Sequence, residues 1–236
     1  MKLIIFDIDG TILDSVNADD KCFIQTFNDL FQIDLTNADW NDFTNVTDAG
    51  LVNEIFEKWF SRHPEKEEVK KIKSYFKSLL ELQSARFTEI DKSLSFINLL
   101  STNPEFEIGF ATGGWKETAE LKCSSVELNL NDHIFKSSND HYNRAKIIEF
   151  VIEEALERND LKEFESITYF GDGLWDLKTS QTLGIHFIGV DFKNSRKLLN
   201  EGVEKVIANY SDSEKILTWL SGDHQEKNGE KQQAAQ

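Results

Sequence analysis

Leu3-Ile4-Ile5-Phe6-Asp7-Ile8-Asp9-Gly10-Thr11 places four apolar residues directly before two carboxylates, a glycine and a hydroxyl. A short apolar run bounded by a turn signal reads as a buried strand. Two acids at its end are costly to bury, because unpaired charge in a protein interior is strongly disfavoured. A cation or a reacting phosphoryl group between them removes that cost. Residues two apart on an extended chain face the same way, so Asp7 and Asp9 can address one ligand while Ile8 points into the core and Gly10 permits a tight turn.

Beyond Thr11 the rhythm becomes helical. Phe23, Phe27, Leu30 and Phe31 form one apolar stripe, Leu51, Val52, Ile55, Phe56, Trp59 and Phe60 a second, and Val69, Ile72, Phe76, Leu79 and Leu80 a third. The pattern predicts a helical unit over 15–90, inserted into a domain made of 1–14 and 91–220. In that second part short apolar runs alternate with amphipathic stretches. Strands are expected at Phe106 to Phe110, Ile134-Phe135, Ile167 to Phe170, Ile185 to Val190 and Val206-Ile207, with helices over about 115–128 and 144–158. Such alternation predicts an α/β fold, a doubly wound parallel sheet to which Leu3 to Phe6 also belongs. Residues 221–236 carry no aliphatic or aromatic anchor and read as a disordered tail.

With 236 residues, 39% of them hydrophobic, and with 18 Phe and 5 Trp, the chain can bury a substantial core. Its net charge of -16 opposes binding to a nucleic-acid backbone or an anionic membrane, and neither is expected as a partner. A small anion still fits, given a local metal ion or basic side chain. Cys22 and Cys123 lie far apart with no matching His spacing, so they read as reduced, buried thiols. The N-terminal apolar run stops at Asp7, too early for a signal-peptide core, and no stretch approaches the ~18 residues that span a bilayer. A cytoplasmic location is expected.

Three of the expected strands end in unusual residues: Asp7-Ile8-Asp9-Gly10-Thr11, Ala111-Thr112-Gly113-Gly114 and Gly171-Asp172-Gly173-Leu174-Trp175-Asp176. In a parallel sheet these ends share one edge, where open α/β folds bind ligands. Thr112 offers a hydroxyl, and Gly113 and Gly114 leave N–H groups unshielded ahead of a helix, an arrangement suited to phosphate oxygens. Asp172 and Asp176 are four apart, which puts Asp176 near a first helical turn. Four acids near one point repel, each close pair by about 4 kcal/mol at ~4 Å and an effective dielectric near ~20. A divalent cation removes that repulsion, and Mg²⁺ suits an all-oxygen site.

Asp-x-Asp-Gly-Thr, a strand ending in Thr, a downstream basic residue and Gly-Asp-x-x-x-Asp, in that order, resemble the haloacid dehalogenase (HAD) superfamily over about residues 1–220. The insert is similar to its type 1 helical cap, as in phosphoglycolate phosphatase-like and β-phosphoglucomutase-like members. The resemblance implies that Asp7 is a nucleophile forming an aspartyl phosphate and that Asp9 is the general acid and base. It implies that Thr112 binds phosphoryl oxygens, and that Mg²⁺ is held by Asp7, the Asp9 main-chain carbonyl and Asp172, with Asp176 orienting the shell. The basic residue is Arg144 or Lys146: lysine is the commoner type for the role, whereas Arg144 lies nearer the helix start and can clamp phosphate through two bonds.

Within that superfamily an acid two residues after the nucleophile goes with phosphate esters, so Asp9 points to phosphoryl transfer, and Thr11 leans towards a phosphatase. The expected function is a Mg²⁺-dependent phosphatase acting on a small phosphorylated metabolite. A sugar phosphomutase and a non-catalytic binding protein on the same scaffold are the alternatives. Asn45 to Gly50 reads either as a capped helix start, with Thr47 or Asp48 as N-cap, or as a loop touching the leaving group. His133, His141 and His186 show no ligand spacing.

Overall fold

The computed structural model describes residues 1–222. The tail expected from 221 onward therefore lies, apart from Ser221 and Gly222, outside the described residues. In chain order the elements are β1 (Lys2–Phe6), β2 (Leu13–Asp14), α1 (Val16–Phe31), α2 (Asp48–Phe60), α3 (Lys66–Glu81), β3 (Thr88–Glu89) and α4 (Ser93–Ser101). They continue with β4 (Phe106–Ala111), α5 (Lys116–Ser124), β5 (Ile134–Lys136), α6 (Arg144–Arg158), β6 (Ile167–Gly171) and α7 (Leu174–Leu183). The last are β7 (His186–Val190), α8 (Lys197–Asn200), β8 (Val206–Ile207) and α9 (Ser213–Ser221).

Six strands form one parallel sheet in the order β5-β4-β1-β6-β7-β8. Every residue of β1 is buried, as a central strand requires when helices cover both faces of a sheet. Its side chains alternate between two cores. Ile4 and Phe6 join Phe96, Phe110, Phe170 and Tyr210 on one face, and the Phe6 ring stacks on Phe170 with centroids 4.8 Å apart. Leu3 and Ile5 join Tyr169 and the Ile147, Ile148 and Val151 stripe of α6 on the other. The chain leaves β1 towards β4 on one side and later returns to β6 on the other, so the order reverses around β1. Such a reversal opens a crevice at the C-terminal strand ends.

The two-stranded antiparallel pair β2–β3, with Leu13 opposite Glu89 and Asp14 opposite Thr88, joins the two ends of the helical insert. Between them α1, α2 and α3 bury a separate apolar cluster that includes Phe23, Phe27, Ile55, Phe56, Ile72 and Phe76. Trp115, just before α5, enters this cluster edge-on to Phe76 at 6.0 Å and ties the insert to the sheet domain.

Two expectations need correction. Trp59 and Phe60, part of the second apolar stripe, are 41% and 40% exposed, because they fall in the last turn of α2 where the buried cluster has ended at Phe56. The helix expected to reach 128 ends at Ser124; Glu127 takes a positive φ of 63°, which no helix continues through. Among the described residues no helix is long and apolar enough to cross a membrane.

Candidate active site

Register brings the three motif-bearing strand ends side by side. Phe6 pairs with Phe110 on one neighbour and with Phe170 on the other, so the residues that follow emerge together. The Asp7 N–H donates to the Phe170 carbonyl at 2.9 Å, extending the ladder by one bond and holding Asp7 at the edge of the sheet. Gly10 then turns the chain with φ +77°, a conformation costly for other residues. A Cβ there would lie 2.5 Å from Asp172 Cγ, so glycine also lets Asp172 approach the first motif.

Of the two basic residues, the structure brings Arg144 to this edge. Asn143 caps α6 by accepting the Lys146 N–H, which sets the phase of the helix so that Arg144 turns inward. Its Nη1 lies 3.3 Å from Asp7 Oδ1, 3.0 Å from Asp176 Oδ1 and 3.3 Å from the Tyr169 hydroxyl, while Nη2 donates to the Val46 carbonyl at 2.9 Å. Lys146 is not brought there: it is exposed and pairs with Glu149 on its own helix.

Carboxylate oxygens of Asp7, Asp172 and Asp176 all lie within 4.8 Å of one another, and all three residues are buried or nearly so. Both oxygens of Asp176 are already engaged, Oδ1 by Tyr169 and Arg144 and Oδ2 by the Gly173 N–H at 2.9 Å. Among the described residues, Asp172 has only the Lys197 ammonium, at 3.2 Å. An oxygen-only donor set of this kind fits a small hard cation such as Mg²⁺, with Asp7 and Asp172 free to ligate and Asp176 held back by its own bonds. The carboxylate of Asp9 is not in this group. It turns to Ser15, which donates to Oδ1, and to Lys122, whose Nζ lies 2.7 Å from Oδ2.

Electrostatics agree with that geometry. Burial raises Asp7 well above the ordinary carboxylate range; Arg144 opposes the rise, and Asp176, Asp9 and Asp172 add to it. Asp172 is pushed up to about 6, first by burial, with Lys197 pulling down and Asp176 pushing up. Burial works against the Arg144 charge, yet Asp176, Tyr169 and Asp7 together hold it firmly protonated. Asp7 and Asp172 are raised in part by the neighbouring acids, and a bound cation would relieve that repulsion.

Thr112 is buried at the end of β4, its N–H bonded to the Lys136 carbonyl and its hydroxyl accepting from the Gly114 N–H at 3.1 Å. A Cβ on Gly113 would fall 2.2 Å from Arg144 Nη2, so only glycine leaves room for the guanidinium. The reading of the 45–50 segment as a capped helix start is met, and Val46, Thr47 and Asp48 line the cavity. Thr47 caps α2, accepting from the Gly50 N–H, and donates to the Tyr142 carbonyl at 2.6 Å. Asp48 reaches across to the sheet domain: its N–H donates to the Gly113 carbonyl at 2.7 Å and its carboxylate accepts from the Trp115 N–H at 2.7 Å. These contacts enclose a cavity of about 130 Å³ whose lining includes Asp7, Asp9, Thr112, Gly113, Arg144 and Asp172 with Trp40 and Asp48 of the insert.

Three charged residues were not singled out in the sequence. Lys197 carries the charge beside Asp172. Lys122 of α5 is wholly buried and bonds both Asp9 and Asp19 of α1. Asp19 is raised to about 8 by burial, against the pull of Lys122. The Asp19 spacing within the first turn of α1 gave no signal, because acids are common at helix starts.

Residues 4–190 match the family model described as haloacid dehalogenase-like hydrolase. No curated protein matches the sequence. Among solved structures, a hydrolase from Pseudomonas syringae has a TM-score of 0.71 at 17% identity, covering 94% of this chain and 99% of its own. CbbY from Rhodobacter sphaeroides, solved in complex with phosphate, has a TM-score of 0.68 at 14% identity, covering 89% and 95%. A protein from Clostridium acetobutylicum described as a predicted phosphatase has a TM-score of 0.61 at 20% identity, covering 92% and 98%.

Proposed function

The chain belongs to the haloacid dehalogenase-like hydrolase family, and from that premise we propose that it is a Mg²⁺-dependent phosphatase of a small phosphorylated metabolite. The observation that carries this reading is the position of Asp7 on the cavity wall, bonded to Arg144 and grouped with Asp172 and Asp176. A carboxylate on the cavity wall, faced by a guanidinium, is suited to attack a phosphoryl group that the guanidinium also holds. That CbbY was solved with phosphate in one structure and with xylulose-1,5-bisphosphate in another supports a phosphate ester as ligand for this fold.

In the proposed sequence Arg144, Thr112 and the Gly113 N–H orient the phosphoryl oxygens. An Asp7 oxygen forms a bond to phosphorus as the bond from phosphorus to the leaving oxygen breaks, and Asp9 gives that oxygen its proton. Asp9 then takes a proton from water, whose oxygen attacks phosphorus and releases inorganic phosphate and the free Asp7 carboxylate. Mg²⁺ would be held by the Asp7 and Asp172 carboxylates and the Asp9 main-chain carbonyl, and when bound it would offset the charge of the acids and of the phosphoryl oxygens. Asp176 would keep Arg144 and the start of α7 in place. Residues 15–90 serve as the cap and 1–14 with 91–220 as the catalytic core; the cap excludes bulk water from the leaving group. A cytoplasmic setting accords with this chemistry.

Phosphate release from a panel of phosphorylated metabolites, measured with Mg²⁺ and with EDTA, tests the proposal. We expect release from at least one with Mg²⁺ and none with EDTA or with Asp7→Asn. Release unchanged by Asp7→Asn would end it.

A further inference from the structure

Lys122 has no surface to explain it. It lies in α5 between Ala119 and Cys123, which face the core, and its side chain is 0% exposed. An ammonium in that position is retained only when its partners offset the large cost of its lost hydration. Its partners are Asp9 of the catalytic loop, with Nζ 2.7 Å from Oδ2, and Asp19 of α1. Ser15 donates to the other Asp9 oxygen. Both oxygens of Asp9 are thus held, one from the start of the insert and one from the core helix that follows the phosphate-binding loop.

We infer that Lys122 is a positioning residue: it aims the Asp9 carboxylate at the leaving oxygen and, through Asp19, keeps that aim in register with the insert. The inference rests on the acid–base role of Asp9 proposed above. A carboxylate on a turn has several rotamers, and among the described residues Asp9, unlike Asp7, has no guanidinium beside it. Removing the Lys122 bond leaves Ser15 as the one side-chain hydrogen-bond donor to Asp9 among the described residues. It also leaves Asp9 and Asp19 facing each other without a cation between them. A lysine serving only the fold would need no contact with the catalytic loop.

The test compares Lys122→Met, which keeps the length of the side chain, with the double variant Lys122→Met/Asp19→Asn, which removes both members of the buried Lys122–Asp19 pair. The double variant relieves the repulsion and separates misfolding from misaiming. The probes are phenyl phosphate and 4-nitrophenyl phosphate, which present similar rings but leaving oxygens of different basicity, with Mg²⁺ present throughout. A misplaced acid penalises the poorer leaving group more. In both variants kcat/KM should fall for phenyl phosphate by about tenfold or more beyond its fall for 4-nitrophenyl phosphate, the pattern that Asp9→Asn should show in the extreme. Equal losses on the two esters, or no loss, in a double variant that melts like the wild type would overturn the positioning role alone. A wild-type protein that releases phosphate from neither ester, nor from any metabolite of the panel, would overturn the phosphatase reading and this inference with it.

Discussion

Arg144→Met isolates the electrostatic balance of the site. The guanidinium is nearly buried and stands 3.3 Å from Asp7 and 3.0 Å from Asp176, while methionine preserves most of the stem and removes the charge. Taking one partner from a buried ion pair costs about 3–5 kcal/mol, because the charge left behind keeps its desolvation penalty. Here two acids are left, but Tyr169 and the Gly173 N–H still serve Asp176, so the lower end, about 3 kcal/mol, is the expected loss in EDTA. Mg²⁺ neutralises the same acids and should recover much of it: at ~100 times its dissociation constant a ligand stabilises by about 2.7 kcal/mol. Urea titrations followed by circular dichroism, with EDTA and with Mg²⁺, give all four values. A variant as stable as the wild type in EDTA would refute the idea that Arg144 stabilises this buried group of acids. Equal Mg²⁺ stabilisation of wild type and Asp172→Asn would refute the idea that Asp172 helps to bind the ion.

The position of Asp172 at about 6 predicts a pH effect whose sign follows from linkage. Its folded-state value lies above the ordinary 3.8, so the folded protein holds the proton more tightly than the unfolded chain, and metal-free stability falls as pH rises from about 4 to 6. The rise from 3.8 to about 6 is worth up to about 3 kcal/mol, and Mg²⁺ should raise the melting temperature more at pH ~7 than at pH ~5; a larger Mg²⁺ increment at the lower pH would contradict the assignment. Gly10→Ala should lose at least about 1–2 kcal/mol from its positive φ. It should also weaken Mg²⁺ binding by calorimetry, since the new methyl displaces Asp172. Unchanged Mg²⁺ affinity would show that the close approach of Asp172 to the first motif is not needed.

Strand ends were the legible part of this chain. Burial on both faces makes β1 a continuous apolar run, so acids directly after it stand out, and the same holds for Thr112 after β4 and Asp172 after β6. Register then did what spacing in the sequence could not show, setting Phe6, Phe110 and Phe170 side by side. Choosing between Arg144 and Lys146 was beyond the sequence, because residues two apart on a helix point ~200° apart and only the phase of α6 decides which faces inward. That phase is set by Asn143 and by the packing of Ile147, Ile148 and Val151 on the sheet. Lys122 was hidden for a related reason. A lysine in an amphipathic stretch reads as solvent-facing, and nothing local reveals that Asp9 and Asp19, each about a hundred residues away, meet it in the interior. The aromatic stripes of the insert were plain as far as Phe56, but where a helix outruns its partners is a property of the assembled cluster.

Rapid-quench mass spectrometry of the protein during turnover of 4-nitrophenyl phosphate with Mg²⁺ most directly tests whether Asp7 takes the phosphoryl group. The account predicts a transient gain of one phosphoryl group, located on Asp7 by reductive labelling of the acyl phosphate and absent from Asp7→Asn. A phosphoryl group found on another residue, or full turnover by Asp7→Asn, would contradict it.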